Sequence, residues 1–213
     1  MTSKAWRQRF FTDGFTRLSR TMDDRGGAAH RSELLGHVTG VVVEVGAGAG
    51  ASFAHYGPAV KIVHAIEPSE SLRSIARIAA DRSEVEIVLS DGTGDSLPVD
   101  TASCDWAVCS LVLCSVPDQA STLAEIARVL KPGGQLAFYE HVRSHNPILG
   151  GLEDLLTPPW SAVAGGCHLN RATLESIAQA GFEIEDPRRF GFSPFPGSPR
   201  VAHVAGTARR RPV

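Results

Sequence analysis

Residues 41–53 read VVVEVGAGAGASF, an apolar β-branched run that ends in three alternating glycines. Such a run is a strand buried on both faces, which requires a parallel sheet covered by helices. The glycines allow a tight turn and let another group approach the backbone closely. The alternation continues along the chain. Further strands are predicted over 61–68, 85–91, within 103–116 and over 135–142. Helices are predicted over 28–36, over 69–82 with Ser69 as N-cap, and over 118–134, ended by Pro132 and two glycines. Phe10, Phe11, Phe15, Leu18 and Met22 mark an amphipathic helix over 5–23, and residues 51–56 are expected to begin another. A helix over 151–163 is expected to break at Pro158 and Pro159, and one over 170–181 to run from Asn170 as cap to Gly181 as stop. Residues 182–190 and 200–209 close the chain as a hairpin-like pair of strands at a sheet edge. The class is α/β, a mostly parallel sheet with helices on both faces. Ligands in such sheets lie beyond the carboxyl ends of the strands, where the strand order reverses.

The residues after each strand describe a ligand. No glycine-rich loop ends in Lys-Ser or Lys-Thr, so a P-loop is excluded. A GxGxxG fingerprint would place its last glycine where Ala51 stands, a change that a dinucleotide site tolerates. Glu44, two residues before Gly46, would repel a diphosphate and suits a cationic group without phosphate. Glu67 follows the second strand, on the order of 20 residues after Gly46, where an acid can accept both hydroxyls of a ribose. The small-residue loop DGTGDSLP (91–98) can frame an adenine, with Asp91 and Asp95 competing to accept from its amine. A ligand with adenine, free ribose and a cationic tail is S-adenosylmethionine.

VVEVGAGAG, AIEPS, GTGDSLPVDTASCDWAV and IARVLKPGGQLAFYEHV together resemble the motifs of the class I S-adenosylmethionine-dependent methyltransferases, in the ubiquinone-biosynthesis-like type 11 group. The resemblance spans roughly residues 10 to 207. It implies a Rossmann-like fold, a seven-stranded sheet with an antiparallel last strand, and S-adenosylhomocysteine as product. It implies that Glu44, Gly46, Ala47, Gly48 and Gly50 hold the methionine end and that Glu67, with Pro68 beside it, takes the ribose. By the same resemblance Thr93, Gly94 and Asp95 border the adenine, and Ser110 and Leu111 close the cofactor from below. Residues 1–38 form a helical cap, with His30 and Arg31 on the lid, over a domain at 39–213 whose substrate cap lies near 143–169. The pattern departs at Ala49, often threonine, and at Gly94, often alanine. VCSLVLCSV (108–116), EHVR (140–143) and GGCHLNR (165–171) are similar to mammalian methyltransferase-like proteins that methylate alkyl thiols and to their bacterial relatives.

The reaction this implies is an in-line displacement needing alignment more than acid help. A base is required only if the acceptor arrives protonated, and a thiol is already partly thiolate near neutral pH. His141, after the fifth strand, is the candidate base or orienting group, with Glu140 to orient it or pair with Arg143. His168 is a further candidate. Trp160, Phe190, Phe192 and Phe195 make the acceptor region apolar, with Trp160 and Phe195 as candidate contacts. The acceptor is read as a small hydrophobic molecule, a thiol first, a phenol, quinone or sugar second. A non-catalytic S-adenosylmethionine-binding module and an NAD-dependent dehydrogenase are the readings from other classes. With a net charge of −2 and no basic run before ARRRPV, nucleic acid is not expected as a partner. Cys104, Cys109, Cys114 and Cys167 show no CxxC and are read as reduced packing thiols of a cytoplasmic protein, with no metal expected from the lone Cys167-His168 pair. No apolar run reaches a membrane span or a signal core. No interface strip is readable, so the oligomeric state stays open, with monomer as the default.

Overall fold

Seven strands form one sheet in the computed structural model, which describes residues 12, 14, 16–193 and 197–211. The ordered elements include α1 (Ala28–Leu35), β1 (Gly40–Val45), β2 (Val60–Ile66), α2 (Glu70–Ala80), β3 (Glu86–Ser90) and β4 (Cys104–Ser110). They continue with α3 (Gln119–Val129), β5 (Leu130–His141), α4 (Pro147–Val163), α5 (Thr173–Gln179), β6 (Phe182–Phe192) and β7 (Val201–Arg210). A helical stretch from residue 16 enters α1 through a π-helical turn at Asp23–Gly27. The strand order is β3-β2-β1-β4-β5-β7-β6. Pairing is parallel from β3 to β5, and β7 runs antiparallel to both β5 and β6. The expected terminal pair is therefore present, with β6 at the edge and β7 inside the sheet.

The two faces of β1 explain its apolar run. Val43 and Val45 face a core with Leu123, Ile126 and Val129 of α3 and Ile177 of α5. Val42 faces the other core, with Leu34 and Leu35 of α1, Phe53, Tyr56 and Ala76 of α2. Side chains alternate between faces along a strand, so Glu44 joins Val42 on the second face. Leu35 is 1% exposed. Leu35→Ala is expected to cost about 2–5 kcal/mol, as for other buried leucines, and urea unfolding measures it. A loss under about 1 kcal/mol would show that α1 is not part of the core.

Several sequence expectations need correction. Residues 51–56 do not begin an α-helix; the link from β1 to β2 holds a short 3-10 turn, Phe53–His55. Phe53 and Tyr56 are buried three residues apart, which matches the tighter 3-10 repeat. The helix before β5 stops at Val129, ahead of Pro132, because Leu130 is already extended and pairs with Cys104. Lys131, preceding Pro132, is also biased away from helix. α4 begins at Pro147, capped by Asn146 through Ile148 N and Leu149 N, and runs through Pro158 and Pro159 without breaking. The helix lies at the surface, with Ile148, Leu149, Leu152, Leu155 and Leu156 exposed, so carbonyls left free by the prolines can meet water. Asn170 caps no helix; its amide donates to Asp154 Oδ1, and α5 starts at Thr173. Gly181 ends that helix at φ +87° as expected. Phe10, Phe11, Phe15 and Phe195 lie outside the described residues.

Candidate active site

The strand order reverses between β1 and β4, and the loops leaving these two strands meet. Gly46, Gly48 and Gly50 have φ of +65°, +57° and +81°, the left-handed region that glycine enters freely. A Cβ on Gly46 would lie 2.7 Å from Val112 Cγ2, and one on Gly50 2.7 Å from Phe53 Cε2. Part of what presses on the bare backbone is therefore the protein itself. Ala47 N–H donates to Ile66 O at 3.0 Å, tying the turn to β2.

Glu67, at the end of β2, accepts from Gly48 N at 2.9 Å on one oxygen and from Ser69 N at 2.8 Å on the other. Burial raises its pKa, while those two N–H bonds and the Arg73 charge pull it back. Each oxygen keeps a lone pair for a further donor. Pro68 is exposed beside it. Arg73 bonds both Glu67 O and Asp91 Oδ1, so Asp91 is committed to an ion pair. Thr93 bridges to Ser96, and Thr93 and Asp95 are exposed on that loop. A Cβ on Gly94 would sit 2.9 Å from Thr122 Cγ2, so glycine at this position leaves room for Thr122.

Glu44 lies buried beneath the glycine turn and accepts from Tyr56 Oη at 2.9 Å. Burial pushes it up to about 7 against the hydrogen bonds of Ser52 and Tyr56 and the charge of Arg31. An acid raised in this way binds more protons folded than unfolded between its ordinary 4.5 and about 7. Its contribution to stability therefore falls as pH rises through that window and is flat above it. The melting temperature of the natural chain should drop more steeply from about pH 5 to about pH 8 than that of Glu44→Gln. Equal slopes in the two proteins would refute this.

Past β4, Leu111 adopts φ +60°, and its N–H donates to Tyr139 O at 2.7 Å. The hydroxyl of Ser110 is buried without a hydrogen-bond partner among the described residues. The next three N–H groups, of Val112, Leu113 and Cys114, all donate to the Glu140 carboxylate at 2.9–3.0 Å. Glu140 is 0% exposed, and burial pushes its pKa well up while these three N–H groups pull it back. Arg143 pairs with Asp154 instead of Glu140.

His141 is buried with Nδ1 3.5 Å from Cys114 Sγ and 3.2 Å from Cys167 Sγ. Burial lowers its pKa, but Cys114, Glu140 and Glu153 together leave it raised. The Cys114 thiol is pushed up to about 12, first by Cys167 and then by burial. Cys167 is lowered, with Cys114 as the main cause. Trp160 packs against this group beside Leu111, Ala164 and Val201. His168 turns away from the group: its Nδ1 lies 2.7 Å from Gly166 O, and its N–H donates to Cys114 O. Arg31 is buried on the inner side of the N-terminal helices, ion-paired to Asp23, and His30 packs on Phe190, 4.3 Å between ring centroids. Arg31 is thus buried and His30 half-buried, both on the side of the N-terminal helices that faces the sheet.

The sequence grouped Glu44, Gly46, Gly48, Gly50, Glu67, Ser110 and Leu111 as one site, and the structure sets them at the carboxyl ends of the three neighbouring strands β1, β2 and β4. It missed Tyr56 and the anchoring role of Glu140. It also missed the convergence of Cys114, His141 and Cys167, which are distant in the chain and carry no spacing signal.

Comparison with known proteins bears on this arrangement. A family profile described as Methyltransferase domain matches residues 43–138. A rat thiol S-methyltransferase, TMT1B, is 33% identical over 172 residues, covering 78% of this chain and 69% of that protein. A human thiol S-methyltransferase, TMT1A, is 34% identical over 145 residues, covering 66% of this chain and 59% of the relative. Among solved structures, a Thermotoga maritima S-adenosylmethionine-dependent methyltransferase, described as a possible histamine N-methyltransferase, superposes with a TM-score of 0.71. It is 22% identical, with 96% of this chain and 97% of that one covered, and so speaks for the fold. YcgJ of Bacillus subtilis gives 0.72 at 14% identity, with 88% and 99% covered.

Proposed function

We propose, for a chain that belongs to the S-adenosylmethionine-dependent methyltransferases and takes its methyl group from S-adenosylmethionine, that the acceptor is a small hydrophobic thiol. Membership ends the dehydrogenase and the non-catalytic readings. One observation carries the thiol. The likeness to the rat thiol S-methyltransferase runs over 172 residues, well beyond the 43–138 of the shared domain, and so reaches segments outside the cofactor-binding core.

The residues present fit the methyl donor. Glu67 keeps free lone pairs at the ribose position, Ser110 offers a hydroxyl without a partner, and the glycine turn leaves its backbone bare beside Glu44. S-adenosylmethionine supplies an activated methyl group whose leaving group is a neutral thioether. Gly46, Ala47, Gly48 and Gly50 shape the turn that receives its methionine end, and Glu44 sets a carboxyl group beneath it that a cationic ligand would favour in its ionised form. Glu67 takes the ribose, Thr93, Gly94 and Asp95 border the adenine, and Leu111 closes the floor. The described part of the N-terminal segment, from residue 16, and residues 143–169 cover the site in this reading, and Trp160 with Leu111 gives the acceptor an apolar wall. The work of the chain is alignment, which is worth about 7–11 kcal/mol when reacting atoms are held in line.

Glu67→Ala is expected to weaken S-adenosylmethionine binding on the order of 100-fold, two charge-assisted hydrogen bonds being lost. Calorimetry reads this directly, and an unchanged affinity would remove Glu67 from the site. For the acceptor, the protein is incubated with S-adenosylmethionine and an alkyl thiol, a phenol, a quinol and an amine in parallel, with products identified by mass spectrometry. A methyl thioether as the dominant product supports the reading. Methylation of the phenol or quinol in its place overturns it.

A further inference from the structure

Cys114 lies in the loop after β4, His141 ends β5, and Cys167 follows α4. These three segments are far apart in sequence, yet their side chains close a triangle. The two sulfurs are 3.7 Å apart, and His141 Nδ1 is 3.5 Å and 3.2 Å from them. All three residues are buried. A tetrahedral zinc ion, with sulfur at about 2.3 Å and nitrogen at about 2.0–2.1 Å, sets its donors about 3.8 Å apart (sulfur to sulfur) and about 3.5 Å apart (sulfur to nitrogen). The measured edges therefore describe one face of such a tetrahedron. A chain of thiol hydrogen bonds needs only two of the three contacts, whereas a shared ion needs all three.

The surroundings hold this triangle in place. Glu140 accepts from the N–H groups of residues 112–114, His168 N–H donates to Cys114 O at 2.8 Å, and Arg171 bonds Leu113 O at 2.7 Å and Val116 O at 2.6 Å. The loop that carries Cys114 is thus fastened to the segment that carries Cys167. Two thiolates with a neutral imidazole balance a divalent cation, so the occupied site carries no net charge into the interior.

We propose that Cys114 Sγ, Cys167 Sγ and His141 Nδ1 bind a zinc-class divalent ion. Three protein donors leave the fourth vertex for water or an incoming sulfur, the coordination kept by zinc sites that meet a substrate. The site stands next to the proposed methyl-transfer crevice, because Val112, two residues before Cys114, is the residue that packs on Gly46. It does not depend on the identity of the acceptor.

The test uses the full chain, reduced and stripped with a chelator, then titrated with Co(II). One equivalent is expected to bind, with a sulfur-to-cobalt charge-transfer band in the near ultraviolet and tetrahedral bands in the visible, all abolished by added Zn(II). Cys114→Ser and Cys167→Ser should each lose most of the charge-transfer intensity, and Glu67→Ala should keep it while losing S-adenosylmethionine binding. No charge-transfer band in the natural chain, or an undiminished band in both cysteine variants, overturns the site. A Cys114–Cys167 disulfide that forms in air whether or not the ion is present overturns it as well. The titration of the natural chain needs no variant, so a folding defect cannot mask the answer.

Discussion

Glu140→Ala is expected to destabilise the protein by about 3 kcal/mol or more and to abolish turnover, because it leaves three buried N–H groups without an acceptor. Glu140 is wholly buried, and its two oxygens take the N–H groups of Val112, Leu113 and Cys114. The loop after β4 would have to reopen, and with it the contact of Val112 with the glycine turn. Glu140→Gln separates shape from acceptor capacity. Its single amide oxygen can serve two donors, while its NH2 group would face the third N–H. It should therefore fall between the natural chain and Glu140→Ala. Urea unfolding measures the loss, and hydrogen exchange at residues 112–114 locates it. If Glu140→Ala unfolds at the same urea concentration as the natural chain, the carboxylate does not hold the loop.

Gly46→Ala carries two separable costs. At φ +65° an alanine sits in the left-handed region, at roughly 1–2 kcal/mol. Its Cβ would also lie 2.7 Å from Val112 Cγ2, an overpacking that costs about 1–3 kcal/mol in a close-packed interior. The turn should deform, and S-adenosylmethionine affinity should fall together with stability. Val112→Ala in the same chain removes the contact and leaves the backbone cost, so the double variant should recover part of the loss. Calorimetric titration and denaturation of all four proteins close the cycle. Additive losses, with no recovery in the double variant, would mean that Val112 is not what Gly46 makes room for.

The parts of this fold that were legible in the sequence are those set by local chemistry. VVVEV is buried on both faces, Ser69 caps α2 through Leu72 N, and Gly181 stops α5 in the left-handed region. The errors arose where tertiary contacts outvoted local signals. Phe53 and Tyr56 are drawn into the core and leave no room for a helix after the glycines. Leu130 joins the sheet before Pro132 can act as a stop. Pro158 and Pro159 sit in a helix whose outer face is open to water. The grouping of Glu44, the glycines, Glu67, Ser110 and Leu111 was readable because these residues follow strand ends, a rule of chain order. Glu140 was harder to read: its spacing suggested a partner for His141 or Arg143, whereas its partners are main-chain groups that no side-chain pattern reveals. The meeting of Cys114, His141 and Cys167 depends on how the strap after α4 returns to the sheet.

The three N–H groups that converge on Glu140 also bear on which molecules this end of the sheet refuses. Successive main-chain N–H groups aimed at one point form a nest, and elsewhere such nests receive phosphate. Here the nest is filled from within by a carboxylate of the same chain. A phosphorylated ligand arriving at the loop after β4 would find its natural receptor occupied, with Glu44 adding a second acid beneath the glycine turn. These three N–H groups are spent inside the chain and offer no donor to an anionic ligand at the loop after β4.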